Sequence, residues 1–136
     1  MAVVEVYRYT LERFVRTRAQ ATLEDCMQSH ARRVQLLRRK ILAMGGNPAR
    51  SSGTWGMLAK SLALWGDMMG ASSALSVLDL GESHGELMYR RKLSQLAPAA
   101  QAFVESQLLP AQALTREWLL GLKRSAAIAY ADALDR

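Results

Sequence analysis

The stretch LEDCMQSHARRVQLLRRKILAMGG, residues 23–46, predicts one long amphipathic helix that ends at a pair of glycines. Its apolar positions recur at alternating steps of four and three residues, the spacing of one face of an α-helix. This seam consists of Leu23, Met27, His30, Val34, Leu37, Ile41 and Met44. The basic residues of the stretch, Arg33 among them, are predicted to flank the seam. Gly45 and Gly46, followed by Pro48, end the helix because glycine accepts a left-handed cap and proline cannot continue the helix.

The same spacing predicts three further helices and therefore an all-α fold. The four predicted helices cover about residues 2–18, 23–44, 73–96 and 98–134. Pro98 occupies a favoured first-turn position of the fourth helix. Pro110 lies inside that helix, where the missing N–H predicts a kink or a local adjustment of the backbone.

A long connection, about residues 46–72, separates the second helix from the third. It is too long for a simple turn, and its large apolar residues recur at helical spacing, which predicts a short amphipathic crossover helix. Two helices, a long crossover and two more helices describe a four-helix bundle with one long connection. The crossover helix is expected to cover the open side of the bundle or to bind a partner. The predicted interaction surface consists of Trp55, Leu58, Leu62, Trp65, Met69 and, on the fourth helix, Tyr130.

Composition restricts the class of protein further. The chain has 136 residues, half of them hydrophobic, and a formal net charge of +6. This length predicts one domain over residues 1–136 with a single core. No apolar run approaches the roughly 18 residues that span a bilayer, and the N-terminus lacks a secretory pattern, so we expect a cytoplasmic protein. The single Cys26 excludes an intramolecular disulfide.

Five stretches carry a family resemblance: AVVEVYRYTLE, SHARRVQLLRRKILAMGGNP, SSGTWGMLAK, GESHGELMYRRKLSQL and ESQLLPAQ. Together they resemble uncharacterised bacterial ferritin-like proteins, distant relatives of rubrerythrin and bacterioferritin, over roughly residues 2–123. The resemblance implies a ferritin-like bundle. It also implies, for many members, two irons held by a Glu on the first and third helices and a Glu-x-x-His pair on the second and fourth.

This chain retains few of those ligands. The first-helix Glu of the family would fall before Met1, and on the second helix His30 fits the His position while Met27 replaces the Glu. On the third helix Glu82 fits. The fourth helix offers Gln112 with Thr115, or less favourably Leu109 with Gln112, and neither pair supplies a Glu and a His. About two of the six ligands survive, and a conventional two-iron centre is not expected.

Glu82 is the most informative of these residues, because it lies on the apolar stripe of its helix, where a bare carboxylate is costly to bury. Its predicted partners inside the bundle are His30, Tyr7, Thr115 and Gln112. In one interpretation the His–Glu pair is an inherited hydrogen bond that fixes helix register. In the other, His30 and Glu82 form an altered metal or proton-handling site, with Glu86 as a second carboxylate.

Three functions follow from these observations. The leading prediction is a non-catalytic structural or binding module without a cofactor, which self-associates through the end of its fourth helix, by default as a homodimer, and can bind a protein partner. The first alternative is a metal-dependent oxidoreductase or iron-handling protein that uses iron or manganese at His30, Glu82 and Glu86. The second is a basic peripheral module for a membrane or nucleic acid, suggested by the arginine clusters, although no nucleic-acid motif accompanies them.

Overall fold

The computed structural model describes residues 2–50 and 71–134, and all regular secondary structure within them is helical. The helices are α1 (Ala2–Leu11), α2 (Ala19–Ala43), α3 (Ala71–Leu93), α4 (Pro98–Phe103) and α5 (Leu109–Leu134), with a π-helical segment at Val104–Leu108. The predicted all-α class is confirmed. The crossover residues Trp55, Leu58, Leu62, Trp65 and Met69, with the helix predicted for them, lie outside the described residues.

Helix α1 is shorter than predicted, since it ends at Leu11 rather than near residue 18. The following N–H groups bond three residues back instead of four: Arg13 donates to Thr10 and Phe14 donates to Leu11, both at 3.0 Å. Arg16 then adopts φ +61°, a left-handed conformation that a right-handed helix cannot contain. Phe14 lies in the turn that follows α1, and its side chain is buried in the core. The chain re-enters a helix at Ala19, earlier than the predicted residue 23.

The last helical stretch is one rod, because α4, the π-helical segment and α5 follow each other in right-handed helical backbone. The adjustment predicted at Pro110 is the π-helical segment that precedes it. Pro110 has no N–H for the carbonyl of Ser106, and its ring would crowd that carbonyl in an α-helix. A wider π turn relieves both problems.

The π-helical segment also determines which side chains of this rod face the core. The first four buried residues of the rod follow at three consecutive steps of four: Ala100, Val104, Leu108 and Gln112. On an ideal α-helix each such step turns the buried stripe by about 40°. The wider turn of the π segment, in which the N–H of Leu109 bonds to the carbonyl of Val104, offsets this rotation. Gln112, predicted from the sequence as an interior partner of Glu82, therefore faces the core.

Four rods pack in a ring: α1 contacts α2 and α3, and α5 contacts the same two helices. Helices α3 and α5 are antiparallel, as the ion pairs Asp79–Lys123 and Glu86–Arg116 show. The hydrophobic core consists of Val6, Tyr7, Phe14, Leu23, Cys26, Ala74, Leu75, Leu78 and Leu119. None of the described helices combines the length and apolarity that crossing a lipid bilayer requires.

Candidate functional site

Glu82, in the middle of α3, is fully buried and accepts hydrogen bonds on both carboxylate oxygens. Oε1 accepts from the Tyr7 hydroxyl at 2.6 Å and lies 2.5 Å from Nε2 of His30. Oε2 accepts from Nε2 of Gln112 at 2.6 Å and from the hydroxyl of Thr115 at 3.1 Å. Four donors occupy the roughly four lone-pair positions of a carboxylate. All four partners predicted for Glu82 are thus brought together.

Each surrounding rod supplies part of this cluster: Tyr7 comes from α1, His30 from α2, and Gln112 from α5. Gly85, one turn beyond Glu82, makes room for the amide of Gln112. A Cβ atom at Gly85 would lie 3.3 Å from Nε2 of Gln112, which is tighter than an ordinary contact. That same Nε2 donates to the backbone carbonyl of Glu82 at 2.9 Å. The glycine therefore lets α5 approach α3 closely at the cluster.

Arg33 completes the cluster and corrects its predicted place on the flank of α2. It is only 3% exposed. Its guanidinium donates to the side-chain carbonyl of Gln112 and, at 3.2 Å, to the hydroxyl of Thr115. The physical reason is charge, because a buried carboxylate is costly without a compensating cation. The sequence contained one indication that Arg33 is buried: it follows His30 by three residues and therefore shares its helical face.

The protonation states follow from burial and charge. Burial raises the pKa of Glu82, but the hydrogen bonds from His30 and Tyr7 and the charge of Arg33 outweigh it and hold that pKa below its ordinary value. Burial lowers the pKa of His30 despite the attraction of Glu82, and the charge of Arg33 lowers it further. At neutral pH, Glu82 is ionised and His30 is a neutral Nε2–H donor. Arg33 supplies the balancing charge.

Two further groups at the cluster are held in their protonated forms. Burial and the nearby Glu82 raise the pKa of the Tyr7 hydroxyl. Burial raises the pKa of the Cys26 thiol to about 12. Cys26 is fully buried, and its Sγ lies 3.7 Å from the backbone carbonyl of Thr115. Because the thiolate is the nucleophilic form of cysteine, this thiol is unreactive at neutral pH.

Glu86 does not join Glu82 as a second carboxylate. Its oxygens pair instead with Arg90 at 2.9 Å on α3 and with Arg116 at 3.0 Å on α5. These guanidiniums hold the pKa of Glu86 below its ordinary value, Arg90 contributing most. The structure therefore brings His30 and Glu82 together and does not bring Glu86 to them. Glu86 lies one helical turn after Glu82, and its ion pairs with the two arginines direct its carboxylate away from the cluster.

The residues present do not fit a two-iron centre. Within residues 2–50 and 71–134, no three His, Cys, Asp or Glu side chains are grouped so that they could hold a metal ion. The cluster offers one carboxylate and one imidazole, whereas a ferritin-type centre needs several carboxylates to balance two cations. Both oxygens of Glu82 already accept hydrogen bonds, and the guanidinium of Arg33 would repel a cation.

Replacing Tyr7 by phenylalanine is expected to lower the free energy of unfolding by about 1.5–3 kcal/mol, because the hydroxyl donates to a buried ionised carboxylate. Urea denaturation of the two proteins measures this difference. Tyr9→Phe is the matched control, since Tyr9 is 45% exposed and its hydroxyl loss should change little. Equal stabilities of the Tyr7→Phe and Tyr9→Phe variants would contradict this account of the cluster.

Together the fold and the site define an all-helical protein with a buried, charge-balanced cluster of carboxylate, imidazole and guanidinium groups. No protein-family model, curated protein or solved structure shows significant similarity to the chain.

The remaining predicted surface residue, Tyr130, is 69% exposed near the end of α5.

Proposed function

We propose that this chain is a non-catalytic, self-associating ferritin-like module, structural or binding in role, in which a polar cluster occupies the position of a metal centre. The observation that carries the proposal is the full hydrogen-bond complement of Glu82. A carboxylate that ligates a metal leaves lone pairs for it. Here four protein donors take those positions, and Arg33 supplies the positive charge that a metal cation would bring.

Burial supports the non-catalytic part of the proposal. Glu82 and Thr115 are 0% exposed and Gln112 is 2% exposed, so the polar atoms face protein rather than solvent. The pKa values of Tyr7 and Cys26 are raised, which leaves neither group ionised as a nucleophile or base at neutral pH. The cluster is thus suited to holding helices together and poorly suited to turning over a substrate.

A structural role follows from how many rods the cluster connects. Glu82 on α3 is bonded to Tyr7 on α1, to His30 on α2 and to Gln112 on α5. A shift of any helix by one residue would leave an ionised carboxylate buried without its donors, at a cost of several kcal/mol. We propose that the cluster specifies the alignment of the four rods, a use of buried polar groups that is known in helical assemblies.

Metal analysis tests the proposal. The protein, produced with added iron and manganese and purified without chelators, is expected to contain substoichiometric amounts of both metals by inductively coupled plasma mass spectrometry. Glu82→Gln, with Glu86→Gln as the matched control, should give the same metal content as the unmodified chain. Stoichiometric iron or manganese that is lost in Glu82→Gln and kept in Glu86→Gln would establish the metal-dependent alternative.

A thermal shift measurement makes the test independent of whether Glu82→Gln folds. Because a metal that binds only the native state raises the melting temperature, the unmodified protein should melt at the same temperature with excess manganese and with a chelator. A rise that saturates at one or two metal ions per chain would contradict the proposal.

A further inference from the structure

The cluster around Glu82 divides the sequence into parts of different charge. Two ranges lie beyond it: residues 31–50, which follow His30, and residues 83–111, which follow Glu82 and end before α5 returns to the cluster. We call these two ranges the basic end. They contain nine Arg or Lys and two Glu, whereas the remaining sequence contains nine Arg or Lys and ten Asp or Glu. Residues 51–70 contain one Lys and one Asp, so they do not alter this balance.

The two ranges of the basic end lie together in the bundle. Leu23 on α2 and Leu75 on α3 share the core on the other side of the cluster, so the two helices run in the same direction. Nζ of Lys40 lies 5.5 Å from the centre of the Phe103 ring, which places the last turn of α2 beside the end of α4. The net positive charge of the chain is therefore concentrated at one end of the molecule.

Most cations of the basic end are available to a partner. Arg33 compensates Glu82, and Arg90 pairs with Glu86 at 2.9 Å. Seven Arg or Lys remain, against the single carboxylate of Glu105. Five of these seven are exposed: Arg32, Arg39, Arg50, Arg91 and Lys92. Free carbonyls at the ends of α2 and α3 favour nearby cations. The exposed excess also attracts an anionic surface.

Two exposed apolar side chains lie beyond these cations on α2. Leu42 and Met44 are 60% and 56% exposed, and they follow Arg39 by three and five residues. At about 1.5 Å per residue, they lie about 5–8 Å further along the helix axis. Gly45, at φ +76°, ends the helix directly after Met44. The end of α2 therefore presents hydrocarbon, with cations about one turn behind it.

We propose that the basic end binds the surface of a bilayer that contains anionic phospholipids. Its cations contact lipid phosphates, while Leu42 and Met44 enter the boundary between the headgroups and the acyl chains. Apolar surfaces of interfacial proteins reach about 5–10 Å into that boundary, which matches the distance from Arg39 to the end of α2. Clusters of about four to eight Lys or Arg are typical of sites for anionic lipids. This inference goes beyond the proposed function and does not depend on self-association.

The apolar side chains favour a bilayer over a nucleic acid. A nucleic acid presents phosphates on its surface, and proteins contact them with Arg, Lys, polar side chains and backbone N–H groups. Leu42 and Met44, in front of the cations, would lie against these phosphates without a suitable partner. A bilayer has hydrocarbon directly beneath its phosphates, so it accommodates the cations and the apolar side chains together.

Vesicle cosedimentation tests the charge of this surface with the full chain. The unmodified chain should bind vesicles of phosphatidylcholine and phosphatidylglycerol in equal parts, bind vesicles of phosphatidylcholine alone far less, and dissociate as salt is added. Arg39→Gln with Arg91→Gln should weaken binding about tenfold or more. Arg8→Gln with Arg124→Gln is the matched control, because it removes the same charge from exposed positions outside the basic end. Equal binding of the two variants, or no binding of the unmodified chain, would overturn the proposal.

Leu42→Ser distinguishes a bilayer from a nucleic acid. It should weaken binding to the same anionic vesicles about fivefold, because part of a buried apolar side chain is lost. Leu80→Ser is the matched control, at 62% exposure outside the basic end, and should leave binding unchanged. Fluorescence anisotropy measures binding to a DNA duplex in parallel. Tighter binding to the duplex than to the vesicles, unaffected by Leu42→Ser, would overturn the proposal and assign the basic end to nucleic acid.

A fluorophore at the end of α2 measures insertion independently of affinity. Met44→Cys is labelled with a polarity-sensitive dye, while the buried, protonated thiol of Cys26 stays unlabelled. Its emission should rise and shift to shorter wavelength when phosphatidylglycerol vesicles are added. The same dye at Leu80→Cys should change little. Equal responses at the two positions would overturn the proposed orientation on the bilayer.

Discussion

Replacing Arg33 by methionine is expected to lower the free energy of unfolding by about 3–5 kcal/mol, because it leaves the ionised Glu82 buried without a compensating cation. Methionine keeps much of the apolar length of arginine, so most of the loss is electrostatic. Arg33 is 3% exposed and donates to two of the four groups that hold the carboxylate. Its removal therefore also weakens the orientation of Gln112 and Thr115. Chemical denaturation followed by circular dichroism measures the change.

A double-mutant cycle separates this charge effect from packing. Glu82→Gln alone should also be strongly destabilising, since it leaves Arg33 as an uncompensated buried charge. The combined Arg33→Met and Glu82→Gln protein should lose less stability than the sum of the single losses, because no charge stays uncompensated. Arg32→Met, at the exposed neighbouring position, is the control for the substitution itself. Simple additivity of the two losses would show that Arg33 does not compensate Glu82.

Acid should destabilise the fold in two stages. The pKa of His30 is lowered in the folded protein, so below pH 6.5 the unfolded chain binds a proton that the folded chain excludes, and stability decreases as pH falls. The pKa of Glu82 is also lowered in the folded protein. Its contribution is complete above the ordinary value of about 4.5 and is lost as pH falls through the folded pKa. Both effects have the same sign.

The slope of stability with pH measures these effects. Each proton bound only by the unfolded chain contributes up to about 1.4 kcal/mol per pH unit. Denaturation midpoints from pH 7 to pH 4 should decrease for the unmodified chain, and His30→Gln should flatten the part between pH 6.5 and 5. An unchanged slope in His30→Gln would mean that His30 is not held neutral.

Periodicity predicted the helices well because it reports how apolar residues alternate with polar ones along a face. For the same reason, the predicted buried face of α2 differs slightly from the face that the structure buries. The buried residues of α2 are Leu23, Cys26, Ser29, His30 and Arg33, whereas the seam residues Met27 and Val34 are only half-buried. A prediction from hydrophobic spacing does not assign a serine or an arginine to the buried face of a helix. A core built around an ionised carboxylate requires such residues.

The partners of Glu82 were predictable because a carboxylate on an apolar stripe needs donors from facing helices, and few polar residues lay on those faces. The end of α1 was not predictable. It depends on Arg16 in a left-handed conformation, where no glycine or proline marks the break. The π-helical segment at Val104–Leu108 was not predictable either, because the spacing of apolar residues does not represent a local π turn. The pairing of Glu86 with Arg116 was not predictable, because Arg116 lies on a different helix, α5.

Nuclear magnetic resonance of the His30 ring during a manganese titration tests the central claim most directly, because Mn²⁺ broadens the resonances of nuclei near its binding site. The cluster is already satisfied by protein donors and by Arg33, so the ring should be neutral at pH 7, protonated on Nε2, and unbroadened by one equivalent of the ion. Selective broadening of His30 and Tyr7, with His84 unaffected, would contradict a metal-free, charge-balanced cluster.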